Sequence, residues 1–255
     1  MKTTNNTILI TGGGSGIGRG LAEAFHRLGN QVIIAGRKQR ALDETKAANP
    51  GMKSLTLDVS DPKSIQSFVD RVPKDYPSLN VLINNAGIMG AENLLETSND
   101  LSTAEKTITT NLLGPIRLTA ALLPSLRKQP RATIMTVSSG LAFVPFAPTP
   151  TYCATKAAIH SYTQSLRYQL KATKVEVVEL IPPYVQTTLT GDQQANDPRA
   201  MPLDEYINEA MSILKSQPDA TEICVQKVYP LRFAAEHGQQ KYEEFFQNFN
   251  DTMHS

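Results

Sequence analysis

Short apolar runs alternate with segments of helical periodicity along most of the chain. The strand-like runs are 8–10, 32–35, 53–59, 81–83, 132–137, 175–181 and 223–225. Apolar residues at helical spacing follow the first run, at Leu21, Ala22, Phe25 and Leu28. Strands that alternate with helices imply parallel pairing through right-handed crossovers, and continuous apolar runs suit strands buried on both faces. We therefore predict an α/β fold, a doubly wound parallel sheet of about seven strands with helices on both faces.

The pattern predicts a single domain over residues 1–255. No linker or internal repeat divides the 255 residues, a length that suits one large α/β domain. The longest helices are expected at about 98–126, with a bend near Gly114-Pro115, and at about 151–172. Residues 186–216 begin with a polar stretch, which indicates a flexible flap or substrate loop. The tail, about 229–255, has a helical pattern whose role the sequence does not reveal.

Charge and cysteine content limit the kinds of binding partner and the cellular compartment that we expect. The chain has 25 basic and 24 acidic residues, a net charge of +1, which provides no field for nucleic acid or an anionic membrane. Cys153 and Cys224 are too few for a disulfide framework, so we expect free thiols and a reducing compartment. No apolar run approaches the roughly 20 residues of a membrane span, and no signal peptide is expected. We expect a cytoplasmic protein that acts on a small molecule.

A glycine-rich turn connects the first strand to the first helix. Its residues are Thr11, Gly12, Gly13, Gly14, Ser15, Gly16, Ile17 and Gly18. The spacing is Thr-Gly-x-x-x-Gly-x-Gly, which is neither the Gly-x-Gly-x-x-Gly fingerprint nor a P-loop. The first N–H groups of a helix are unpaired and carry partial positive charge, so a pyrophosphate can bind there if no side chain blocks it. Such turns also occur for packing reasons alone, so the rest of the chain must decide.

The residues after the second strand bear on the choice of dinucleotide. Dinucleotide-binding folds place a carboxylate there for the ribose 2′-hydroxyl of NAD, or a basic residue for the 2′-phosphate of NADP. This chain has Arg37 and Lys38 and no carboxylate. Basic residues are unfavourable at a helix start unless an anion binds, which weakens the alternative of a merely solvated helix start. We predict NADP as the cofactor, with NAD the less favoured alternative.

Tyr152 and Lys156 are four residues apart in a predicted helix, so their side chains share one face. A nearby ammonium group lowers the pKa of a phenol from its ordinary value of about 10, which suits a general acid or base. Ser139, at the end of the fifth strand, could hold a substrate oxygen. Alone, such a pair is more often a surface feature. Here the pair follows the glycine turn, the Asn-Asn-Ala-Gly of 84–87 and Asn111 along the chain, and this order favours a catalytic role.

These motifs, in this order, resemble the short-chain dehydrogenase/reductase family over about residues 7–225. Residues 111–119, 138–143 and 152–156 also resemble a bacterial branch of it, the oxidoreductases of lipoteichoic acid D-alanylation operons. The resemblance implies a Rossmann fold and an NAD(P)-dependent dehydrogenase or reductase acting on CH–OH groups. It also implies a homodimer or homotetramer that pairs through the two longest helices.

The resemblance assigns roles to individual residues. Tyr152 donates a proton to the carbonyl oxygen, Ser139 hydrogen-bonds that oxygen, and Lys156 lowers the tyrosine pKa and binds the nicotinamide ribose. Asn111 holds a water in a proton relay. The cofactor-binding residues would be Gly12, Ser15, Gly16, Ile17, Gly18, Arg37, Asp58, Val59, Asn85, Ala86, Gly87, Tyr152, Lys156, Pro182, Val185 and Thr187. One departure is Pro183, where the family has a glycine beside the nicotinamide.

We expect an NADP(H)-dependent oxidoreductase that interconverts a carbonyl and an alcohol. The alternatives are an NADP-binding sensor or scaffold without turnover, and an epimerase or dehydratase on the same fold. Apolar residues of the loop 141–151, together with Leu189, favour a hydrophobic substrate. We interpret His160 as a packed residue, and we expect no metal site because the histidines lack metal-ligand spacing with cysteines or acids.

Overall fold

The chain folds around a parallel sheet, as the alternating pattern predicts. In the computed structural model, which describes residues 1–95 and 100–254, seven strands pair in the order β3-β2-β1-β4-β5-β6-β7, and all pairs are parallel. The strands are β1 (Thr7–Thr11), β2 (Gln31–Gly36), β3 (Lys53–Thr56), β4 (Leu79–Asn84), β5 (Ala132–Val137), β6 (Val175–Ile181) and β7 (Glu222–Cys224). The predicted doubly wound sheet of seven strands is confirmed.

Helices cover both faces of the sheet. They are α1 (Gly16–Arg27), α2 (Gln39–Ala48), α3 (Pro62–Asp75), α4 (Ser102–Ile108), α5 (Gly114–Leu126), α6 (Pro150–Leu170), α7 (Asp192–Asn196), α8 (Leu203–Ser216), α9 (Tyr229–Arg232) and α10 (Gln239–His254). Successive residues of a strand point to opposite faces, so each strand contributes to two cores. In β1, Ile8 and Ile10 pack with α1 and α8, whereas Leu9 packs with α3, α5 and α6.

The helix expected at about 98–126 is interrupted. The structure has α4, a π-helical turn over Thr109–Leu113, and then α5. The bend lies directly before Gly114, whose close approach to the chain after β3 needs a residue without a side chain: a Cβ there would lie 2.8 Å from the carbonyl oxygen of Val59. The predicted start near Ser98 falls outside the described residues. A π-turn inside a helix often marks a functional position, and this one contains Asn111.

The segment 186–216 is more ordered than a flexible flap. The buried side chain of Gln194 donates to the carbonyl oxygen of Val185 at 2.9 Å, and Val185 forms a bridge with Met201. The second half of the segment is helix α8, whose Ile207 packs directly against Gly20 of α1. Half of the expected substrate loop is therefore part of the core. None of the helices in the described ranges is long and apolar enough to cross a membrane.

Asp61 provides a test of the local signals that begin the helices. Its carboxylate accepts the backbone N–H of Lys63 at 2.9 Å and caps α3, with Pro62 at the first helical position. We expect Asp61→Ala to lower the free energy of unfolding by about 0.5–2 kcal/mol in urea denaturation, because one helix N–H loses its acceptor. Asp61→Asn keeps an acceptor and should lose much less. Equal losses in the two variants would contradict the capping role.

Candidate active site

The glycine turn is tied to the end of β4 by backbone and side-chain hydrogen bonds. The hydroxyl oxygen of Thr11 accepts the backbone N–H groups of Asn85 and Ala86, both at 3.0 Å. The amide of Asn85 donates in return to the carbonyl oxygen of Thr11 at 2.9 Å. Two neighbouring strand ends, β1 and β4, are thereby locked into one rigid edge. Asn85, Ala86 and Gly87 lie partly exposed along it.

Glycines let the turn pack closely at the start of α1. Gly12 has a φ of +69°, which disfavours other residues, and a Cβ at Gly18 would lie 2.4 Å from the carbonyl oxygen of Gly12. Within the described chain, the Ser15 hydroxyl makes no capping bond to α1, and the first turn of that helix carries no acidic residue. A helix start without a side-chain cap or a carboxylate fits a pyrophosphate. Gly16, which starts α1, contacts Thr187 from the segment after β6.

The ends of β2 and β3 carry the residues that we predict for the adenosine half of a dinucleotide. Arg37 and Lys38 are exposed after β2, and among the residues that the structure describes neither has an ion-pair partner. Asp58 is partly buried, and its carboxylate accepts both the N–H and the hydroxyl of Ser60. Val59 is buried beside it. The third strand ends at Thr56 rather than at Val59 as expected, so both residues stand beyond its end. The free basic groups fit a 2′-phosphate.

Ser139, Tyr152 and Lys156 converge at the ends of β5 and β6. All three are buried. The Ser139 oxygen accepts the N–H of Leu141 at 3.1 Å, which leaves its hydroxyl hydrogen for the Tyr152 oxygen. Nζ of Lys156 lies 5.5 Å from the centre of the Tyr152 ring and donates to the carbonyl oxygen of Val137 at 2.9 Å. The structure therefore brings together the three side chains that the sequence singles out.

Burial dominates the pKa values of the two titratable groups. It raises the pKa of Tyr152 to about 12, against an opposing hydrogen bond from Ser139. It lowers the pKa of Lys156 to about 8, against an opposing effect of the Glu179 charge. The expected lowering of the tyrosine pKa by the lysine is therefore not found: burial of the phenol is the largest effect, and Lys156 is not among the groups that shift it. The phenol is held in its acid form at neutral pH.

Asn111 links the segment after β4 to helix α6. Its side-chain oxygen accepts the N–H of Ile88 at 2.9 Å, and its amide donates to the carbonyl oxygen of Ile88 at 2.8 Å. A longer contact of 3.4 Å reaches the hydroxyl of Thr155, which lies between Tyr152 and Lys156. The amide thus ties the segment after β4 to α6, and its oxygen keeps one lone pair beyond the bond to Ile88. The relay water stays a prediction.

Past β6, Pro182 helps to position Ser139. Its carbonyl oxygen accepts the N–H of Gly140 at 2.9 Å. Pro183 follows where a glycine was expected, and the chain continues through the buried Val185 to Thr187 beside the glycine turn. The chain after β6 therefore still reaches the glycine turn with prolines at positions 182 and 183.

Glu92 is a site residue that the sequence does not reveal. Its carboxylate accepts the backbone N–H of Thr151 at 3.1 Å and the Thr151 hydroxyl at 2.8 Å, and so fixes the first turn of α6 directly before Tyr152. The backbone N–H of Glu92 donates to the carbonyl oxygen of Pro148 at 2.8 Å. A carboxylate is favourable at a helix start. No sequence signal could place it there, because the two segments are far apart along the chain.

The tail has a role that the sequence leaves open: it holds residues 140–149, the loop that connects Ser139 to α6. The buried side chain of Asn250 accepts the N–H of Ala147 at 2.7 Å and donates to the carbonyl oxygen of Pro145 at 3.1 Å. Tyr242 donates its hydroxyl to the carbonyl oxygen of Phe143 at 3.2 Å. Helix α10 therefore fixes the backbone of the 140–149 loop at three points.

A charged cluster lies behind α6, and the interpretation of His160 as only packed is incomplete. His160 packs edge to face on Phe143, with ring centres 4.7 Å apart, and its Nδ1 lies 2.8 Å from the carboxylate of Glu179. Glu222 pairs with Arg232 at 2.8 Å. One nitrogen of His160 and one oxygen of each carboxylate lie within 4.8 Å of one another. Because the guanidinium and the imidazole already face the carboxylates, we assign an ion-pair and hydrogen-bond cluster.

Comparison with known proteins agrees with the parallel sheet. The short chain dehydrogenase family profile matches residues 6–198. The uncharacterized oxidoreductase DltE of Bacillus subtilis is 41% identical over 253 residues, which is 98% of each chain. A short chain dehydrogenase of Burkholderia cenocepacia in complex with NADP superposes with a TM-score of 0.81, at 22% identity over 96% of this chain and 99% of that one. A relative from Burkholderia phymatum in complex with NAD gives 0.78, at 20% identity over 92% and 95%.

The contact of Asn250 with the 140–149 loop predicts a stability change. Asn250→Ala leaves the N–H of Ala147 and the carbonyl oxygen of Pro145 without this partner, so we expect a loss of about 1–3 kcal/mol in the free energy of unfolding. Asn248 is exposed on the same helix, and Asn248→Ala is the matched control, with a change of about 0.5 kcal/mol or less. Hydrogen exchange at Ala147 should become faster only in the first variant. Unchanged exchange there would contradict the role of α10.

Proposed function

The chain belongs to the short-chain dehydrogenase family, in the branch of the Bacillus subtilis oxidoreductase, and we propose that it is an NADP(H)-dependent enzyme that interconverts a carbonyl and an alcohol. One observation carries the proposal: Ser139, Tyr152 and Lys156 meet at the ends of β5 and β6, on the edge of the sheet where the glycine turn follows β1. A general acid, a donor to the substrate oxygen and a cation beside the acid are the groups that carbonyl reduction requires of a protein.

The acid form of Tyr152 fits its proposed role as the proton donor in carbonyl reduction. With its pKa raised to about 12, the phenol is protonated at neutral pH and can donate its proton to a carbonyl oxygen. The Ser139 hydroxyl lies beside it and is positioned to hydrogen-bond the same oxygen. Lys156, 5.5 Å from the ring centre, stabilises the phenolate that remains. A bound nicotinamide cofactor would supply the hydride.

Arg37 and Lys38 support the preference for NADP. Both are exposed after β2 and have no ion-pair partner in the described part of the chain, so a 2′-phosphate would be the anion that compensates them. The Burkholderia cenocepacia relative was solved with NADP and the Burkholderia phymatum relative with NAD, so the fold by itself favours neither dinucleotide. The preference therefore rests on these two side chains.

The apolar loop residues give less support for a hydrophobic substrate than the sequence suggests. Val144 is fully buried, and Phe143 packs against His160 and the Arg232 guanidinium. Leu189 is 40% exposed and remains available to a ligand. We retain a small carbonyl or alcohol compound as the substrate class. A cytoplasmic location and pairing of two chains through α5 and α6 stay predictions.

The role of Tyr152 is tested by removing one oxygen. Tyr152→Phe should lower NADPH oxidation across a panel of aldehydes and ketones by about 10²–10⁴-fold, because the general acid is lost. NADPH affinity, followed by cofactor fluorescence, should change far less. Tyr168→Phe, on the exposed side of the same helix, is the matched control and should keep full activity. Equal activity of Tyr152→Phe and the wild type would refute the mechanism, and binding without turnover on any carbonyl would favour a sensor.

The choice of cofactor has a separate test. Arg37→Asp should raise the KM for NADPH by about tenfold or more while leaving that for NADH nearly unchanged, because a charge-assisted contact with phosphate is replaced by repulsion. Arg40→Asp changes the net charge equally, three residues further on, where the arginine already pairs with Glu44 at 2.8 Å. It should affect both cofactors little. Parallel changes for NADPH and NADH in Arg37→Asp would show that Arg37 does not select the phosphate.

A further inference from the structure

Glu179 is a buried carboxylate in the middle of a central strand. It lies in β6 between Val178 and Leu180, and its side chain is 0% exposed. Its strand neighbours in register are Thr136 of β5 and Glu222 of β7. A carboxylate is rarely buried to this extent unless it is paired, because removal of a charge from water is costly. The chain retains it at a position where an apolar residue would complete the core.

His160 holds this carboxylate against the helix that carries the site. Nδ1 of His160 lies 2.8 Å and 3.0 Å from the two oxygens of Glu179. The amide of Gln164 lies 3.1 Å from Nε2, so both ring nitrogens have polar partners. His160 is one helical turn beyond Lys156, on the same face of α6.

We propose that Glu179 is a positioning residue that acts through Lys156. Nζ of Lys156 donates to the carbonyl oxygen of Val137, the residue after Thr136, which is the register partner of Glu179. The carboxylate, held by His160, therefore lies behind the amine and supports its ammonium form beside the Tyr152 phenol. This inference rests on the proposed function, in which the ammonium stabilises the phenolate. Glu179 would be a fourth residue of the site, beside Ser139, Tyr152 and Lys156. It lies on β6 and would contact neither substrate nor cofactor.

The other charges near the cluster do not replace Glu179. Glu222 and Cys224 on β7 face it, but the Glu222 carboxylate is paired with the Arg232 guanidinium. Burial raises the pKa of Cys224 to about 12, so that thiol is neutral at ordinary pH. Helix α6 carries Cys153, Tyr162, Arg167 and Tyr168 besides Tyr152, Lys156 and His160, and the Arg167 guanidinium donates to the carbonyl oxygens of Val177 and Thr221. Burial lowers the pKa of Lys156 to about 8, and the charge of Glu179 acts against that change.

The coupling can be measured without catalysis, through the pH dependence of stability. A lysine whose pKa is about 8 when folded and 10.5 when unfolded binds more protons in the unfolded chain between those values. The free energy of unfolding therefore rises with pH across that window. Glu179→Gln keeps the shape of the side chain and removes its charge, so the pKa of Lys156 falls further. We expect the rise to begin at lower pH, by about one unit.

Four substitutions make this experiment specific. Urea denaturation is followed from about pH 6.5 to about pH 9 for the wild type, Glu179→Gln and Glu205→Gln, each also in a Lys156→Met background. Glu205 is exposed on α8, and its removal should not move the onset of the rise. In the Lys156→Met background, Glu179→Gln should no longer shift the onset of the rise, because no ammonium remains whose pKa the carboxylate could change. His160→Phe, which leaves the carboxylate without its donor, should shift the onset in the same direction.

The activity readout separates this inference from the proposed function. In carbonyl reduction, the alkaline decline of kcat should move to lower pH by about one unit in Glu179→Gln, with near wild-type kcat at the acidic end. A profile that is uniformly lower at every pH, with an unshifted stability onset, would overturn the inference and leave only a packing role. If the onset shifts but no carbonyl is reduced by any variant, the coupling stands and the proposed function fails.

Discussion

The buried face of helix α6 is the constraint on which the site depends. Tyr152, Lys156 and His160 are spaced four residues apart, so one helix face carries a phenol, an amine and an imidazole in a row. Two strands fix them: β5 holds Tyr152 through Ser139 at its end and Lys156 through the carbonyl oxygen of Val137, and β6 holds His160 through Glu179. The helix is thus held along its length by polar contacts with two strands. Its rotation is fixed by these contacts rather than by apolar packing alone.

Both ends of this arrangement are secured by segments remote in sequence. Glu92 bonds the first turn of α6, and Asn250 of α10 bonds the 140–149 loop that leads into it. The glycine turn is secured separately, by Thr11 and Asn85 across β1 and β4. Rigid strand ends with few independent loops make a preorganised site, because the reacting groups need no large rearrangement to reach one another.

The sheet and the series of motifs along the chain could be predicted because their signals are local. Seven apolar runs give seven strands, and Tyr152 and Lys156 share a helix face by spacing alone. Contacts such as that of Asn250 with Ala147 join residues about a hundred positions apart, and no pattern along the chain records them. Glu179 is an intermediate case. A carboxylate inside the run Val177 to Ile181 is a visible anomaly, but only the folded chain shows that His160 is its partner.

Burial disfavours the charged forms of Tyr152 and Lys156 that the proposed chemistry requires. It favours the neutral phenol and the neutral amine, whereas proton donation leaves a phenolate that an ammonium must stabilise. A carboxylate beside Tyr152 would raise the pKa of the phenol still further. Placed behind the helix, Glu179 instead raises the pKa of Lys156, whereas the pKa of Tyr152 is governed by burial, Ser139 and Cys153. Because the Glu179 carboxylate lies on β6, it can stabilise the Lys156 ammonium without destabilising the Tyr152 phenolate.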